Sequence, residues 1–265
     1  MKDMKDMKDM TDIDNIERKE KKINKKSIIS IIIDIILVGI ILFCLYKIGI
    51  WFFDNYKSSQ VKDKYKKIQE KIDNIDISKN IEDTKTITEL KKQNPDTFGW
   101  LKVKNTKINY PIVKSNDNDY YLNHSFDKTY NSAGWPFIDY KNKLDGTDKN
   151  IVIYGHNRRN GDMFGTLDEV LKEDWYSNKD NKEIIFITEK EIQRYEVFSV
   201  YEVLNEEYYI NTEFNSDTYS NFINTIFKRS IYNFETKIDY SKNVLTLSTC
   251  SNNDKYRTVL HAIKK

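Results

Sequence analysis

The feature that most constrains this chain is a long apolar segment near its N-terminus. Residues 27–53 read SIISIIIDIILVGIILFCLYKIGIWFF, and the charged side chains in the segment, Asp34 and Lys47, lie toward its two ends. At about 1.5 Å per helical residue, the segment exceeds the roughly 30 Å hydrocarbon core of a bilayer. A signal peptide would need a small-residue cleavage site, but the first alanine of the chain is Ala133. An uncleaved signal-anchor is therefore predicted, in preference to a buried helix of a globular domain.

Basic residues flank the predicted membrane span on both sides. Those before it are Arg18, Lys19, Lys21, Lys22, Lys25 and Lys26, and those after it are Lys57, Lys62, Lys64, Lys66 and Lys67. The positive-inside rule then favours a cytoplasmic N-terminus only weakly. Residues 1–26 are expected to be a disordered cytoplasmic tail, and their MKDMKDMKDM repeat leaves open which methionine starts the protein. The net charge of +2 gives no reason to expect a nucleic-acid partner.

Residues 54–94 carry two helix signals and are interpreted as a helical stalk. Apolar residues recur at alternating four- and three-residue spacing among charged ones, which predicts an amphipathic helix that lies on the following domain. Its apolar stripe consists of Val61, Tyr65, Ile68, Ile72 and Ile75. A capping box at residues 86–89 predicts the start of a second helix, which ends near Asn94 because Pro95 follows.

Residues 95–265 predict a mainly β domain with peripheral helices. Short runs rich in β-branched and aromatic residues occupy residues 100–113, 150–157, 183–188, 193–203, 243–250 and 256–265. Many short strands without long helices between them indicate a sandwich or a barrel. One helix is predicted at residues 214–230. Its apolar face consists of Tyr219, Phe222, Ile223, Ile226 and Phe227.

Few residues in this domain could carry chemistry. Cys44 lies in the apolar span, so Cys250 has no partner for an intramolecular disulfide on the soluble side. One soluble cysteine is also too few for a cysteine-rich zinc site. P-loop and dinucleotide-binding glycine patterns are absent from the sequence, and we expect neither a metal nor a cofactor.

A cysteine–histidine nucleophilic site is the chemistry that these residues leave open. Cys250 ends the strand-like VLTLSTC, and this pattern alone favours a small buried side chain over a nucleophile. His156 lies in the polar loop YGHNRRNGDMFG, where functional side chains are commonly displayed. His124 lies among aromatic residues, and the face of His261 in the last strand is undetermined. Arg257, just after the Cys250 loop, offers a charged fork for an oxyanion.

Several segments together resemble the sortases, which are membrane-anchored cysteine transpeptidases of Gram-positive bacteria. The segments are TLSTC with an arginine at the start of the next strand, YGHN at the end of an upstream strand, NPDTFGWLKV, INYPIV, DNDYYLNHSF and NSAGWPFIDY. The resemblance extends from Asn94 to Lys265, is most similar to class B, and implies an eight-stranded β-barrel. Trp135-Pro136 departs from the family, in which smaller aliphatic residues are more usual, and alters either a groove wall or a local turn.

The resemblance also implies roles for individual residues. Cys250 would be the nucleophile, His156 the general acid and base, and Arg257 the group that binds the oxyanion or the substrate carbonyl. Asn118 and Leu122 match the class B substrate-groove segment, and Ser248 matches the serine before the catalytic cysteine. All three would bind the substrate.

The activity implied by the resemblance is transpeptidation outside the cell membrane. A sorting motif of the NPxTx or [SNP]PxTG kind, near the C-terminus of a secreted surface protein, would be cleaved after its threonine through a cysteine thioester. The acceptor would be an amine of a cell-wall peptide or peptidoglycan precursor, or a pilin lysine in pilin-polymerising members. Two rival functions stay open: an exported cysteine protease or hydrolase, and a non-catalytic, membrane-tethered binding module.

Overall fold

The structure is a computed structural model of the chain. It describes residues 18, 28–53, 55–56, 59–60, 66, 68–70, 82–204, 206–250 and 255–265, with the side chains of residues 82–84 and 250 outside that description. The chain divides into two compact units, Met1–Phe53 and Asp54–Lys265.

The first unit contains one long apolar helix, α1, at Ile28–Phe53. Its 26 residues include an 18-residue stretch with a mean hydropathy of 3.2, and the side chains are exposed along the whole helix. By length and composition α1 is able to cross a membrane, which agrees with the span predicted at residues 27–53.

In the second unit the described residues form a closed barrel of eight strands, in the order β1-β2-β3-β4-β7-β8-β6-β5. The strands are β1 Thr97–Val103, β2 Asn109–Val113, β3 Phe137–Ile138, β4 Asn150–Tyr154, β5 Glu183–Thr188, β6 Ile192–Leu204, β7 Val244–Cys250 and β8 Tyr256–Lys264. Pairs β2–β3 and β4–β7 are parallel, and the other pairs are antiparallel. The mainly β barrel expected from the sequence is confirmed.

Three of these strands differ from the runs predicted from the sequence. Residues 100–113 form a hairpin of β1 and β2 rather than one strand, with Asn105 at a positive φ of 53° in the connecting turn. Such a φ is tolerated by asparagine and reverses the chain within a few residues. Strand β3 was not predicted, because two residues are too short to show an alternating pattern.

Three described α-helices pack against or connect the barrel strands: α2 Glu82–Gln93, α3 Glu173–Ser177 and α4 Ser216–Arg229. Helix α4 starts at a capping box formed by Asn215 and Thr218, and it agrees with the helix predicted at residues 214–230. Its buried side chains are Tyr219, Phe222, Ile223 and Ile226. Phe227, predicted on the same face, is 42% exposed and lies at the edge of the contact.

Helix α2 ends where the sequence predicts but begins earlier. The backbone N–H of Asn94 still donates to the carbonyl of Leu90 at 2.9 Å, and Pro95 then ends the helix. Residues 86–89 lie inside the helix, so the predicted capping box is not its start. Of the apolar stripe predicted before it, Ile68 is described and packs against the core, whereas Val61, Tyr65, Ile72 and Ile75 lie outside the described residues.

The core fills the barrel and continues on its outer surface. Leu245 and Leu247 of β7 belong to the cluster inside the barrel, whereas Val244 belongs to the cluster beneath α4. Because β7 is buried on both faces, it reads as a nearly continuous apolar run.

Candidate functional site

The end of β4 and the end of β7 lie side by side at one edge of the barrel. Their parallel register pairs Tyr154 with Ser248. Beyond the paired residues, the Gly155 N–H donates to the Ser248 carbonyl at 3.3 Å, and the Thr249 hydroxyl donates to the Gly155 carbonyl. His156 therefore leaves β4 directly beside the last residues of β7.

The end of β7 also lies against the start of β8. The antiparallel register of these strands ends with Cys250 opposite Arg257. The Arg257 side chain is half-buried, and its Nη1 donates to the carbonyl of Tyr256 at 3.0 Å. His156, which is far from the other two residues in the sequence, thus lies with Cys250 and Arg257 at three adjacent strand ends.

The imidazole of His156 is oriented by a backbone carbonyl. Its Nε2 lies 2.7 Å from the carbonyl oxygen of Leu122. A carbonyl oxygen only accepts hydrogen bonds, so Nε2 carries a proton in this geometry. Nδ1 is then the ring nitrogen available for proton exchange with another group.

The backbone beside His156 requires glycine at position 134. Gly134 has a φ of +60°, and a Cβ there would lie 2.7 Å from the Leu122 oxygen and 3.0 Å from His156 Cδ2. Any side chain would push against the carbonyl that orients the imidazole. Glycine is therefore required at position 134 of the NSAG segment both by its positive φ and by the close approach of the Leu122 carbonyl.

A cavity of about 310 Å³ opens between these strand ends. The sequence-predicted residues on its wall are Asn118, Leu122, His156, Ser248 and Arg257. Sequence reasoning missed four large side chains on the same wall: Phe137, Tyr154, Tyr209 and Ile210. The wall is mainly apolar with a few polar groups, as is usual for a ligand-binding groove.

Asp139, another residue that sequence reasoning missed, holds one side of the cavity together. Its Oδ2 accepts from the Tyr154 hydroxyl at 2.7 Å and from Asn118 Nδ2 at 3.1 Å. Burial, reinforced by the nearby Asp139 carboxylate, raises the pKa of Tyr154 above its ordinary value. Tyr154 therefore stays protonated and keeps donating this bond.

A short 3-10 helix at Tyr208–Ile210 contributes Tyr209 and Ile210 to the wall. The hydroxyl of Tyr209 lies 3.1 Å from Oγ of Ser248, and both residues are 2% exposed. Ser248 thus contacts the wall rather than only filling the strand, two positions before Cys250.

Asp168 lies behind the cavity and links the two strand ends that carry His156 and Arg257. One carboxylate oxygen accepts from Nδ2 of Asn157 at 2.9 Å, and the other accepts from the hydroxyl of Thr258. Asn157 directly follows His156 in the sequence, and Thr258 directly follows Arg257. The sequence carries no local signal for this role, because a single aspartate in a polar segment reads as a solvated surface charge.

The other two histidines lie outside this cavity. His124 stacks on Tyr120 with ring centroids 4.1 Å apart, and its Nδ1 lies 2.8 Å from the Tyr120 carbonyl. His261 is fully buried, which lowers its pKa from about 6.5 to about 3. It bonds with Tyr201 and Thr246 in the adjacent strands.

Trp135, where the sequence departs from the usual family pattern, lies in the protein core. Trp135 is 2% exposed, and its Nε1 donates to the Pro111 carbonyl at 2.8 Å. Its ring packs edge-on against Tyr110 at 5.7 Å between centroids.

The described residues contain no cluster of three or more His, Cys, Asp and Glu side chains able to hold a metal ion.

Comparisons with known proteins are consistent across sequence and structure. A family model described as "Sortase domain" matches residues 101–265. The chain is 34% identical to Sortase B of Listeria monocytogenes over 84% of this chain and 90% of the relative. It is 32% identical to Sortase B of Staphylococcus aureus over 83% of this chain and 88% of the relative.

Solved structures give the same result. A Staphylococcus aureus sortase B–substrate complex matches with a TM-score of 0.71 at 30% identity, over 79% of this chain and 98% of that one. Clostridium perfringens sortase B matches with a TM-score of 0.64 at 33% identity, over 67% of this chain and 98% of that one.

Proposed function

This chain belongs to the sortase family and is a sortase transpeptidase of class B, and we propose that Cys250, His156 and Arg257 carry out its chemistry. The observation that carries the proposal is the register of three adjacent strands. His156 follows β4 and lies beside the end of β7, and the last residue of β7 pairs with Arg257 of β8. A nucleophile, a proton carrier and a fixed cation within one groove are the groups that acyl transfer requires.

In the first step, the Cys250 thiolate attacks the carbonyl carbon of the motif threonine. A carbon–sulfur bond forms, and the negative charge moves to the carbonyl oxygen, where the Arg257 guanidinium stabilises it. His156 donates a proton to the nitrogen of the scissile peptide bond. That bond breaks, the C-terminal fragment leaves as an amine, and the threonine remains as a thioester on Cys250.

In the second step, an acceptor amine attacks the thioester. His156, now neutral, takes a proton from the attacking nitrogen, and the carbon–sulfur bond breaks. The product is a new amide, and the Cys250 thiolate is regenerated. Nδ1 of His156 is the atom we assign to both transfers, because Nε2 is bonded to the Leu122 carbonyl.

The groove supports a short extended peptide as substrate. Sortases act on surface proteins that bear sorting signals, and we propose a motif of the NPxTx or [SNP]PxTG kind for this chain. Leu122, Tyr154 and Ile210 offer apolar surface suited to a proline ring, and the Asn118 amide offers hydrogen bonds to peptide groups. The proposed acceptor is an amine of a wall peptide or peptidoglycan precursor, with a pilin lysine as the alternative.

This chemistry requires the catalytic domain to face the substrates. We propose a cytoplasmic tail at residues 1–26, a membrane anchor at 27–53, a helical stalk at 54–94 and an extracellular catalytic domain at 95–265. The apolar helix Ile28–Phe53 supports the anchor, and the secreted nature of sortase substrates supports the orientation.

The test uses the full chain in detergent micelles with quenched fluorescent peptides of both motif kinds. Reactions run with and without triglycine or a lysine-bearing peptide, and mass spectrometry identifies the products. We expect cleavage after threonine and a new amide to the acceptor. Hydrolysed peptide alone, even at saturating acceptor, would instead support the exported hydrolase.

The chain offers a matched pair of cysteine variants. Cys250→Ala is expected to abolish cleavage, whereas Cys44→Ala, in the apolar helix, is expected to keep it. Alkylation with iodoacetamide should inactivate the Cys44→Ala protein through Cys250. Cleavage by the Cys250→Ala protein would refute the proposed nucleophile.

A further inference from the structure

The groove wall at Tyr208–Ile210 is held from behind by a buried amide. Asn150, the first residue of β4, is fully buried. Its Nδ2 donates to the carbonyl of Tyr209 at 3.2 Å and to the carbonyl of Asn211 at 3.0 Å. Both hydrogens of the amide are therefore committed to the wall, so the Asn150 side-chain oxygen is the acceptor for any other partner.

The partners of Asn150 fix the tautomer of His261. The Thr246 hydroxyl donates its one proton to Oδ1 of Asn150 at 2.6 Å. The same hydroxyl oxygen lies 2.8 Å from Nδ1 of His261 and is left to accept. His261 must then carry its proton on Nδ1, and its Nε2 becomes an acceptor.

The other ring nitrogen of His261, Nε2, is linked to the same wall through two tyrosine hydroxyls. The Tyr201 hydroxyl lies 2.9 Å from Nε2 and donates to it. The Tyr208 hydroxyl in turn donates to the Tyr201 oxygen at 2.9 Å. The chain thus begins at Tyr208 and ends at the carbonyls of Tyr209 and Asn211, with every hydrogen bond pointing one way.

We propose that His261 is a positioning residue for the transpeptidation, since its neutral Nδ1–H tautomer completes the hydrogen-bond chain that fixes the groove wall at Tyr208–Ile210. The inference rests on the proposed function, because it assigns that wall to the sorting peptide. Asn150, Thr246 and His261 are each 0% exposed, so water cannot replace a lost partner without opening the packing.

The expected consequence is a change in peptide binding rather than in the chemical step. When the chain is broken at Thr246, the wall keeps the bonds of Tyr209 to Ser248 and to Asn150, but the Asn150 amide loses the donor that holds its oxygen in place. His156 is oriented through the Leu122 carbonyl, which is not part of this hydrogen-bond chain, and is left in place. A loosened wall therefore raises KM and leaves kcat nearly unchanged.

The test compares Thr246→Val with Thr188→Val in the full chain in detergent micelles. Valine preserves the shape of Thr246 and removes the hydroxyl that joins His261 to Asn150. Thr188 is the matched control, because it is also buried and its hydroxyl bonds the Glu191 carbonyl at 3.1 Å, in the β5–β6 turn. With the peptide that the wild type cleaves best, we expect Thr246→Val to raise KM about tenfold with kcat changed less than about twofold.

Further variants separate positioning from general stability. His261→Leu should raise KM as Thr246→Val does, and the double variant should add little because both changes break one chain. His261→Gln should recover most of the loss, since its amide donates and accepts as the neutral imidazole does. If Thr246→Val does not fold, Tyr208→Phe removes the first donor of the chain from a half-buried position.

Amide hydrogen exchange gives a readout that does not depend on activity. Exchange at residues 208–211 should be about tenfold faster in Thr246→Val than in Thr188→Val. Equal exchange in the two variants, or equal KM values, would overturn the inference. A wild type that cleaves no sorting peptide contradicts the proposed function, whereas an active wild type with an unmoved KM in Thr246→Val contradicts this inference alone.

Discussion

Acid should destabilise this protein through His261. The side chain is buried between β6, β7 and α4, with Phe198, Tyr201 and Phe222 as its ring neighbours and Thr246 as its second hydrogen-bond partner. None of these neighbours carries a charge at neutral pH. Burial therefore lowers the pKa of His261 to about 3 without a carboxylate to offset it.

The sign and size follow from proton binding in the two states. In the unfolded chain this histidine has a pKa of about 6.5 and takes up a proton as the pH falls below that value. In the folded protein it stays neutral down to about pH 3. Stability from this group is thus fully present above about pH 6.5 and falls by about 1.4 kcal/mol per pH unit below it, or about 2 kcal/mol between pH 8 and pH 5.

The assay is urea unfolding of the full chain in detergent micelles, followed by tryptophan fluorescence at pH 8 and pH 5. The reference protein is His261→Gln, which has no titrating group at this position. Contributions of the carboxylates, His124 and His156 are common to both proteins and cancel in the difference. The wild type should lose about 2 kcal/mol more than the variant between the two pH values.

Equal losses in the two proteins would refute this reasoning. They would mean that His261 binds a proton in the folded state, and so that its tautomer is not locked by Tyr201 and Thr246. A direct check is the NMR chemical shift of the His261 ring, which should not titrate between pH 8 and pH 5.

Three further changes test the site and its support. Asp168→Ala should lower kcat/KM about tenfold in peptide cleavage, because the loop after β4 and the start of β8 lose a shared acceptor; unchanged kinetics would contradict that role. Gly134→Ala should destabilise the fold by about 1–3 kcal/mol in urea unfolding and lower kcat, since its Cβ would press on the Leu122 carbonyl. Trp135→Phe should lower the free energy of unfolding by about 1 kcal/mol, because the bond to the Pro111 carbonyl is lost, and should leave KM unchanged. A raised KM would mean that Trp135 shapes the groove wall.

Local patterns in the sequence were sufficient for most secondary structure. The alternating and apolar runs that predicted β5, β6, β7 and β8 agree with the structure, because each is long enough to show its period. The capping box at residues 86–89 misled, because the same residue types also occur inside a helix whose first turns lie upstream.

The candidate site was less accessible to physical reasoning from the sequence. Taken alone, Cys250 favoured a buried filler, and the ordered motifs of the family, rather than local chemistry, singled it out with His156 and Arg257. No sequence pattern distinguishes Asp139 or Asp168 from the other acidic residues. The chain has 41 of them, and most acidic residues lie on the protein surface.

The sequence by itself therefore determined the apolar span, the β-rich domain and the short set of residues able to act as nucleophile, acid and cation. Only the tertiary structure decided which residues surround them. Thr249 bonds to Gly155 across 94 positions, and His261 reaches the groove wall through partners in other strands. Periodicity reports which face of an element is buried, but the closure of the barrel decides which buried faces meet.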